Sequence, residues 1–230
     1  MAPKTGWLVG LALLCLAAGC AHRGAPVAYP DIDHESAPAR LAIVEVLASD
    51  YLPAFPECRM PEVLCMDPPP TWIRLRVQQT LNGDTLPRRI YASTTSHYGR
   101  ITDHDGARGR RLMLLLGEGE ALVMARYAHA PLHTDSRGGD HLVLGDAGPH
   151  WLPCEARALR EPITDPVLAR AAAIPLEQFD LTHAEEDAAY FRFAGGQAHP
   201  RYSLPIDRLK TLLAGRARPA AAYRCPPTGD

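Results

Sequence analysis

TWIRLRVQQTL, residues 71–81, decides the fold class. Ile73, Leu75 and Val77 alternate with Arg74, Arg76 and Gln78, the period of two that gives a strand one apolar and one polar face. Asn82-Gly83-Asp84 breaks the pattern with residues suited to tight turns. Beyond the turn, Arg88–Thr95 resumes as a strand through Ile90 and Ala92. Upstream, Leu41–Ser49 places Ala42, Val44 and Val46 on one face and Glu45 on the other. Downstream, Arg111–Leu116 carries the unbroken apolar run LMLLL, expected where both faces of a strand are covered. Gly117-Glu118-Gly119 turns the chain and Ala121–His129 returns, so residues 111–129 read as a β-hairpin.

The second half is less periodic. Leu142–Leu144 is a short strand candidate. Asp165-Pro166 is a helix start, Asp as N-cap and Pro in the first turn, leading into Val167–Ala173. Ser203-Leu204-Pro205 opens a second helix, with Ile206, Leu209, Leu212 and Leu213 on one face and Gly215 ending it. The expectation is a mainly β domain over residues 41–145 with a helical C-terminal extension, 146–230, packed on it.

Composition narrows the partners. A formal net charge of −2 over 230 residues argues against nucleic acid as the main partner. Apolar content of 47% is that of an ordinary globular chain, and 22 prolines imply many turns and short elements.

The first residues read as an address. Lys4 supplies a positive start, and Trp7–Ala18 forms an apolar stretch too short to span a bilayer. It ends Leu16-Ala17-Ala18-Gly19-Cys20, which resembles the lipobox of bacterial lipoproteins, with Ala17 where Leu is commoner. The resemblance implies cleavage after residue 19, acylation of Cys20 and a permanent membrane anchor. Ala21 is not the Asp that commonly retains lipoproteins at the inner membrane. The periplasmic face of the outer membrane is therefore the expected location. Residues 20–40, polar and Pro-containing, read as the lipidated end and a tether. Cys15 would leave with the signal. Cys58, Cys65, Cys154 and Cys225 are an even number in an oxidising compartment, and two disulfides are expected from three possible pairings. Cys58–Cys65 would close the Pro-rich loop between Asp50 and Pro70, and Cys154–Cys225 would tie down the tail.

Residues 41–130 carry a second resemblance. A strand, a Cys-bearing loop, WIRLRVQQTLNGDTLPRRIYAST, a Gly-containing loop and RGRRLMLLLGEGEALVMARY follow in that order. This is similar to the netrin-module or TIMP-like group of OB-fold barrels, whose bacterial members feed a hairpin from a Gly-x-x-Tyr-Leu-Val strand. Gly109-Arg110-Arg111-Leu112 fits, with Leu112 in the aromatic position. The resemblance implies an OB-like five-stranded barrel, a fold that commonly binds oligonucleotides or oligosaccharides on one sheet face. Animal members inhibit metalloproteases through a free amino-terminal Cys. The corresponding end here is Cys20, acylated and separated by the tether, which argues against that route.

Candidate chemistry is sparse. His129 and His133 are four apart but separated by Pro131, and read as a turn rather than a metal pair. Asp103-His104-Asp105-Gly106 lacks the remaining ligands of a calcium loop. Arg100, Arg108, Arg110 and Arg111 cluster near Glu118 and Glu120, and surface ion pairing is the expected role. The acidic run His183–Asp187 reads as a solvated face, and Ser96 beside His97 makes no triad. The chain contains no Gly-x-Ser-x-Gly, Ser-x-x-Lys, His-Glu-x-x-His, P-loop or dinucleotide fingerprint. The expectation is a non-enzymatic binding or scaffolding module without metal or cofactor, directed at an envelope protein or glycan. Trp72, Arg74 and Arg76 are the candidate contacts on the exposed strand face. The alternatives are a hydrolase or metal-dependent enzyme using His97, His104, His129, His133 or His141, and a protease inhibitor.

Overall fold

A computed structural model describes residues 24–60, 69–95, 101–103, 109–144, 150–179, 188–215 and 218–224. The expected signal 1–19 and Cys20 lie outside the described residues. So do Cys65, Cys225, Ser96, His97, Arg100, His104, Asp105, Arg108 and the 183–187 run.

The alternating stretch is a strand, β2 (Pro70–Thr80), and its neighbours form as their patterns dictate. They are β1 (Pro38–Tyr51), β3 (Arg89–Thr95), β4 (Arg110–Leu116) and β5 (Val123–Thr134). β1 pairs β2, β2 pairs β3, β3 meets β5 in parallel, β5 pairs β4, and β4 returns to β1. Five strands thus close into a ring. With 44% strand against 20% helix the chain is mainly β, as its periodicity implies. β1 serves two partners by bending at register breaks between Ile43 and Val44 and between Val46 and Ala48, the strand irregularities that sharpen curvature.

The ring interior is filled by Ala42, Val44, Ile73, Leu75, Val77, Ile90, Ala92, Met113, Leu115, Leu122 and Met124. Both faces of β4 are indeed covered. Met113 and Leu115 point inward, while Leu112, Leu114 and Leu116 belong to a second core outside the ring. That second core brings in Leu41 and Ile43 from β1, Trp151 and Leu152, and helix α2 (Ile206–Leu213) through Ile206, Leu209 and Leu213.

Beyond the ring, β5 continues into pairing with β6 (Asp140–Leu144), which pairs β11 (Tyr202–Pro205), which pairs β7 (Glu161–Pro162). A separate three-stranded sheet holds β8 (Ile174–Pro175), β10 (Gln197–Pro200) and β9 (Phe191–Ala194), with Phe179, Phe191 and Phe193 packed edge to face or stacked. The C-terminal extension is therefore mixed. Its helix α1 (Pro166–Ala171) starts as expected, the Asp165 carboxylate accepting from Val167 N and Leu168 N. Ser203 and Leu204, read as a helix opening, lie in β11, and α2 starts at Ile206.

Residues 24–37 do not hang free. Val27 O accepts from Ala54 N at 3.1 Å, and burial pushes the Tyr29 phenol above its ordinary value. A C-terminal strap holds the rest. β12 (Arg218–Pro219) pairs β1, Ala220 N donates to Ala37 O, Ala221 N donates to Glu35 O, and Arg224 pairs with Glu35 at 2.8 Å. Tyr223 seats this strap in the second core, where burial pushes its hydroxyl up to about 12. Terminal segments fray unless tied, and here residues 35–39 and 218–224 tie each other. Among the described residues no two cysteines lie at disulfide distance. Cys58 and Cys154 are the only two described, and neither is a free thiol.

Candidate functional site: a groove on the β2–β3 face

Ladder pairing decides what shares the outer face of β2 and β3. Trp72 lies opposite Ser93, Arg74 opposite Tyr91, and Arg76 opposite Arg89. With Ile73, Leu75 and Val77 turned inward, these six side chains stand on the other side of the sheet. Trp72 is half-buried and meets Tyr91 edge-on, ring centres 5.7 Å apart.

Beside this pair a groove of about 810 Å³ opens, within the size range of small-ligand sites. Arg89, Ile90 and Tyr91 of β3 form one wall, with Arg74 of β2 next to them. Gly119, Glu120 and Ala121, from the turn between β4 and β5, form the opposite wall, and residues 24–28 lie over it. Arg74 and Arg89 are exposed and have no ion-pair partner among the described residues. The groove therefore presents two cations without an ion-pair partner among the described residues, facing Glu120 in the opposite wall.

Of the three expected contacts, Arg74 lines the groove and Trp72 supports it through Tyr91. Arg76 is engaged elsewhere. It pairs with Glu45 at 2.8 Å, which accepts from Gln78, which in turn accepts from Arg110 Nε. Arg110 ends this chain in a two-pronged pair with Asp140, both contacts 2.6 Å. Of the described members of the arginine cluster, Arg110 takes Asp140, and Glu118 lies 3.7 Å from Arg40. Arg111 is buried, donates to His129 Nδ1 at 2.8 Å, and has its guanidinium value lowered by desolvation. Arg89 and Tyr91 were missed because their place depends on pairing with β2. The overlying residues 24–28 carry no local signal of docking.

The described histidines do not converge on a metal. His129 and His133 lie in β5, not in a turn, since the strand runs through Pro131. Burial lowers the His133 value, partly offset by a hydrogen bond with the Ala171 main chain. His133 sits opposite His141 in the β5–β6 ladder, yet His141 is held by other groups. Its Nε2 lies 3.2 Å from Asp135 Oδ2 and its Nδ1 lies 3.1 Å from Ser203 Oγ. Asp135 is held below its ordinary value chiefly by Gly139 N–H, with further hydrogen bonds from His141 and Arg137. The three types are those of a hydrolytic triad, but Ser203 is only 1% exposed, and a nucleophile must reach its substrate. The arrangement ties the β5–β6 turn, β6 and β11 together. Among the described residues no group of three His, Cys, Asp or Glu side chains is placed to hold a metal ion.

No protein-family model, no curated protein and no solved structure matches this chain.

Proposed function

We propose that this chain is a lipoprotein anchored through Cys20 at the periplasmic face of the outer membrane, and that its barrel binds an anionic envelope partner without catalysing a reaction. The observation that carries the binding role is the groove beside Tyr91, with Arg74 and Arg89 exposed along it and without an ion-pair partner among the described residues. A ring ordered β1-β2-β3-β5-β4-β1 supports reading the domain as an OB-like barrel, a fold that uses its β2–β3 face for ligands. That neither Cys58 nor Cys154 titrates as a free thiol supports two disulfides to Cys65 and Cys225, of which we favour Cys58–Cys65 and Cys154–Cys225, and with them an oxidising compartment. The lipobox-like LAAGC supports the anchor.

The test is a titration of the chain, carrying Trp151→Phe so that Trp72 reports, against an oligogalacturonate and a neutral oligosaccharide of the same length, followed by tryptophan emission. The anionic chain should bind and the neutral one should not. Arg74→Glu combined with Arg89→Glu should weaken binding by about tenfold or more, the scale of losing charge-assisted contacts. Undiminished binding by the double variant would refute the groove. The anchor is tested separately, by fractionating wild type beside Cys20→Ala: only the wild type should sediment with outer membranes.

A further inference from the structure

The wall formed by β3 is an unfinished sheet edge. Ser93 N donates to Leu122 O at 2.8 Å, so the main-chain groups of Ser93 point away from β2 towards β5. Val77 N donates to Arg88 O at 2.9 Å, so those of Arg88 point towards β2. Main-chain direction alternates along a strand. Ile90 and Ala92 therefore face β2, and Arg89 and Tyr91 face the groove. The parallel contact between β3 and β5 is limited to Ser93 and Val123. Beyond it, the main-chain N–H and C=O groups of Arg89 and Tyr91 have no partner among the described residues. Residues 24–28 lie over this edge without pairing to it, and the main-chain bond of Val27 goes to Ala54.

Two residues of strand separate the free groups, roughly 6.6 Å. That spacing of alternating donors and acceptors is the repeat of an extended polypeptide, and a glycan has no matching backbone. The free edge is flanked by Arg74 and Arg89. We propose that the groove receives an extended acidic segment of a partner protein, which adds as a strand to the free edge of β3. In this mode main-chain hydrogen bonds give affinity and flanking side chains give selectivity. Arg89 and Tyr91 would supply the main-chain bonds, and Arg74 and Arg89 would select carboxylates over ammonium groups. The inference rests on the groove being the binding site and names its occupant. It also explains why that edge is roofed. An open strand edge invites indiscriminate pairing, and a cover that does not pair leaves a slot admitting a single extended chain.

The test is hydrogen exchange at single-amide resolution on the full chain, alone and with a ten-residue alternating Glu–Val peptide. In the free protein the Arg89 and Tyr91 amides should exchange much faster than those of Ile90 and Ala92, because only the latter are bonded to β2. The Glu–Val peptide should slow Arg89 and Tyr91 by about tenfold or more, whereas a Lys–Val peptide should leave them unchanged. Arg74→Glu with Arg89→Glu should abolish the protection. Protection of both amides in the free protein would overturn the proposal, as would peptide binding that leaves them unprotected. Binding of oligogalacturonate, lost in the double variant, without any protection by the Glu–Val peptide would sink strand addition while leaving the groove as the site. Failure of both ligands would sink both.

Discussion

Replacing Gly117 by alanine should damage this protein far more than the same change two residues later. Gly117 has φ +95° and its amide donates to Pro38 O at 2.9 Å. Its carbonyl accepts from Arg40 Nη1 at 2.7 Å. A Cβ built there would overlap the Ala121 carbonyl oxygen, a main-chain atom that cannot swing aside. Gly119 has φ +59° and nothing within 4 Å of a new Cβ. Left-handed backbone alone costs an L residue about 1–2 kcal/mol, and that is the whole expected cost of Gly119→Ala. In Gly117→Ala the turn must open as well. It would forfeit one neutral hydrogen bond, worth about 0.5–1.5 kcal/mol, and one to a charged donor, worth about 1.5–3 kcal/mol. The total is roughly 3–6 kcal/mol. At about 2–4 °C per kcal/mol for a chain of this size, Gly117→Ala should lower the Tm by on the order of 10–20 °C and Gly119→Ala by a few degrees. The opened turn also displaces Gly119–Ala121, one wall of the groove. Ligand affinity should therefore fall in Gly117→Ala at temperatures where the protein is still folded. Equal melting temperatures for the two variants would refute the reasoning.

Asn82 pins the exit of β2 to β1, its Oδ1 accepting from Leu41 N at 2.8 Å and its Nδ2 donating to Ala39 O at 3.0 Å. Asn82→Ala should cost about 2–4 kcal/mol in urea unfolding, because it orphans two buried main-chain groups. Asn82→Asp, which turns a carboxylate oxygen towards the Ala39 carbonyl, should not rescue it. Acid should destabilise the fold in two stages. Burial lowers the folded value of His133, so the unfolded chain binds more protons, and stability falls as pH drops below about 6.5. His133→Gln should flatten that limb of a pH series of melts. The carboxyls of Asp135 and Asp165 are held below their ordinary value, chiefly by Gly139 N–H and by the Ser136 hydroxyl respectively. Their contribution is present above about pH 4 and lost as pH falls through their folded values. Asp165→Asn should remove part of that second loss.

What was legible in the sequence is what rests on local rules. Alternation in Thr71–Leu81 placed Ile73, Leu75 and Val77 inside and Trp72 and Arg74 outside, because side chains alternate whatever the neighbours. The LMLLL run announced two-sided cover, and both cores now claim it. Asp165 capped its helix because the cap is a contact within three residues. What was not legible depends on chain-distant partners. Pro131 looks like a strand breaker, but the strand passes through it opposite Arg111. The Asp135, His141 and Ser203 chain joins residues 68 positions apart and forms only when β6 pairs β11. Residues 24–37 resemble a tether by composition, and they dock because a strap from residues 218–224 holds them.

The candidate site falls between these cases, and charge accounting shows why only part of it could be foreseen. By composition all the outward arginines look alike. The fold sorts them by whether an acid lies within reach: Arg76 has Glu45, Arg110 has Asp140, and Arg224 has Glu35. Arg74 and Arg89 face each other diagonally across the β2–β3 ladder with no acid paired to either among the described residues. A salt-bridged arginine on a surface adds little stability, and an unpaired one adds none by pairing. Two unpaired cations at diagonal positions of one ladder raise each other's energy. They do so beside the main-chain groups of Arg89 and Tyr91, which equally lack a partner among the described residues. Both deficits are met by one kind of occupant, an extended chain bearing carboxylates. Their coincidence in one groove is the reason to look for the partner there rather than along the neutralised Arg76–Asp140 ladder.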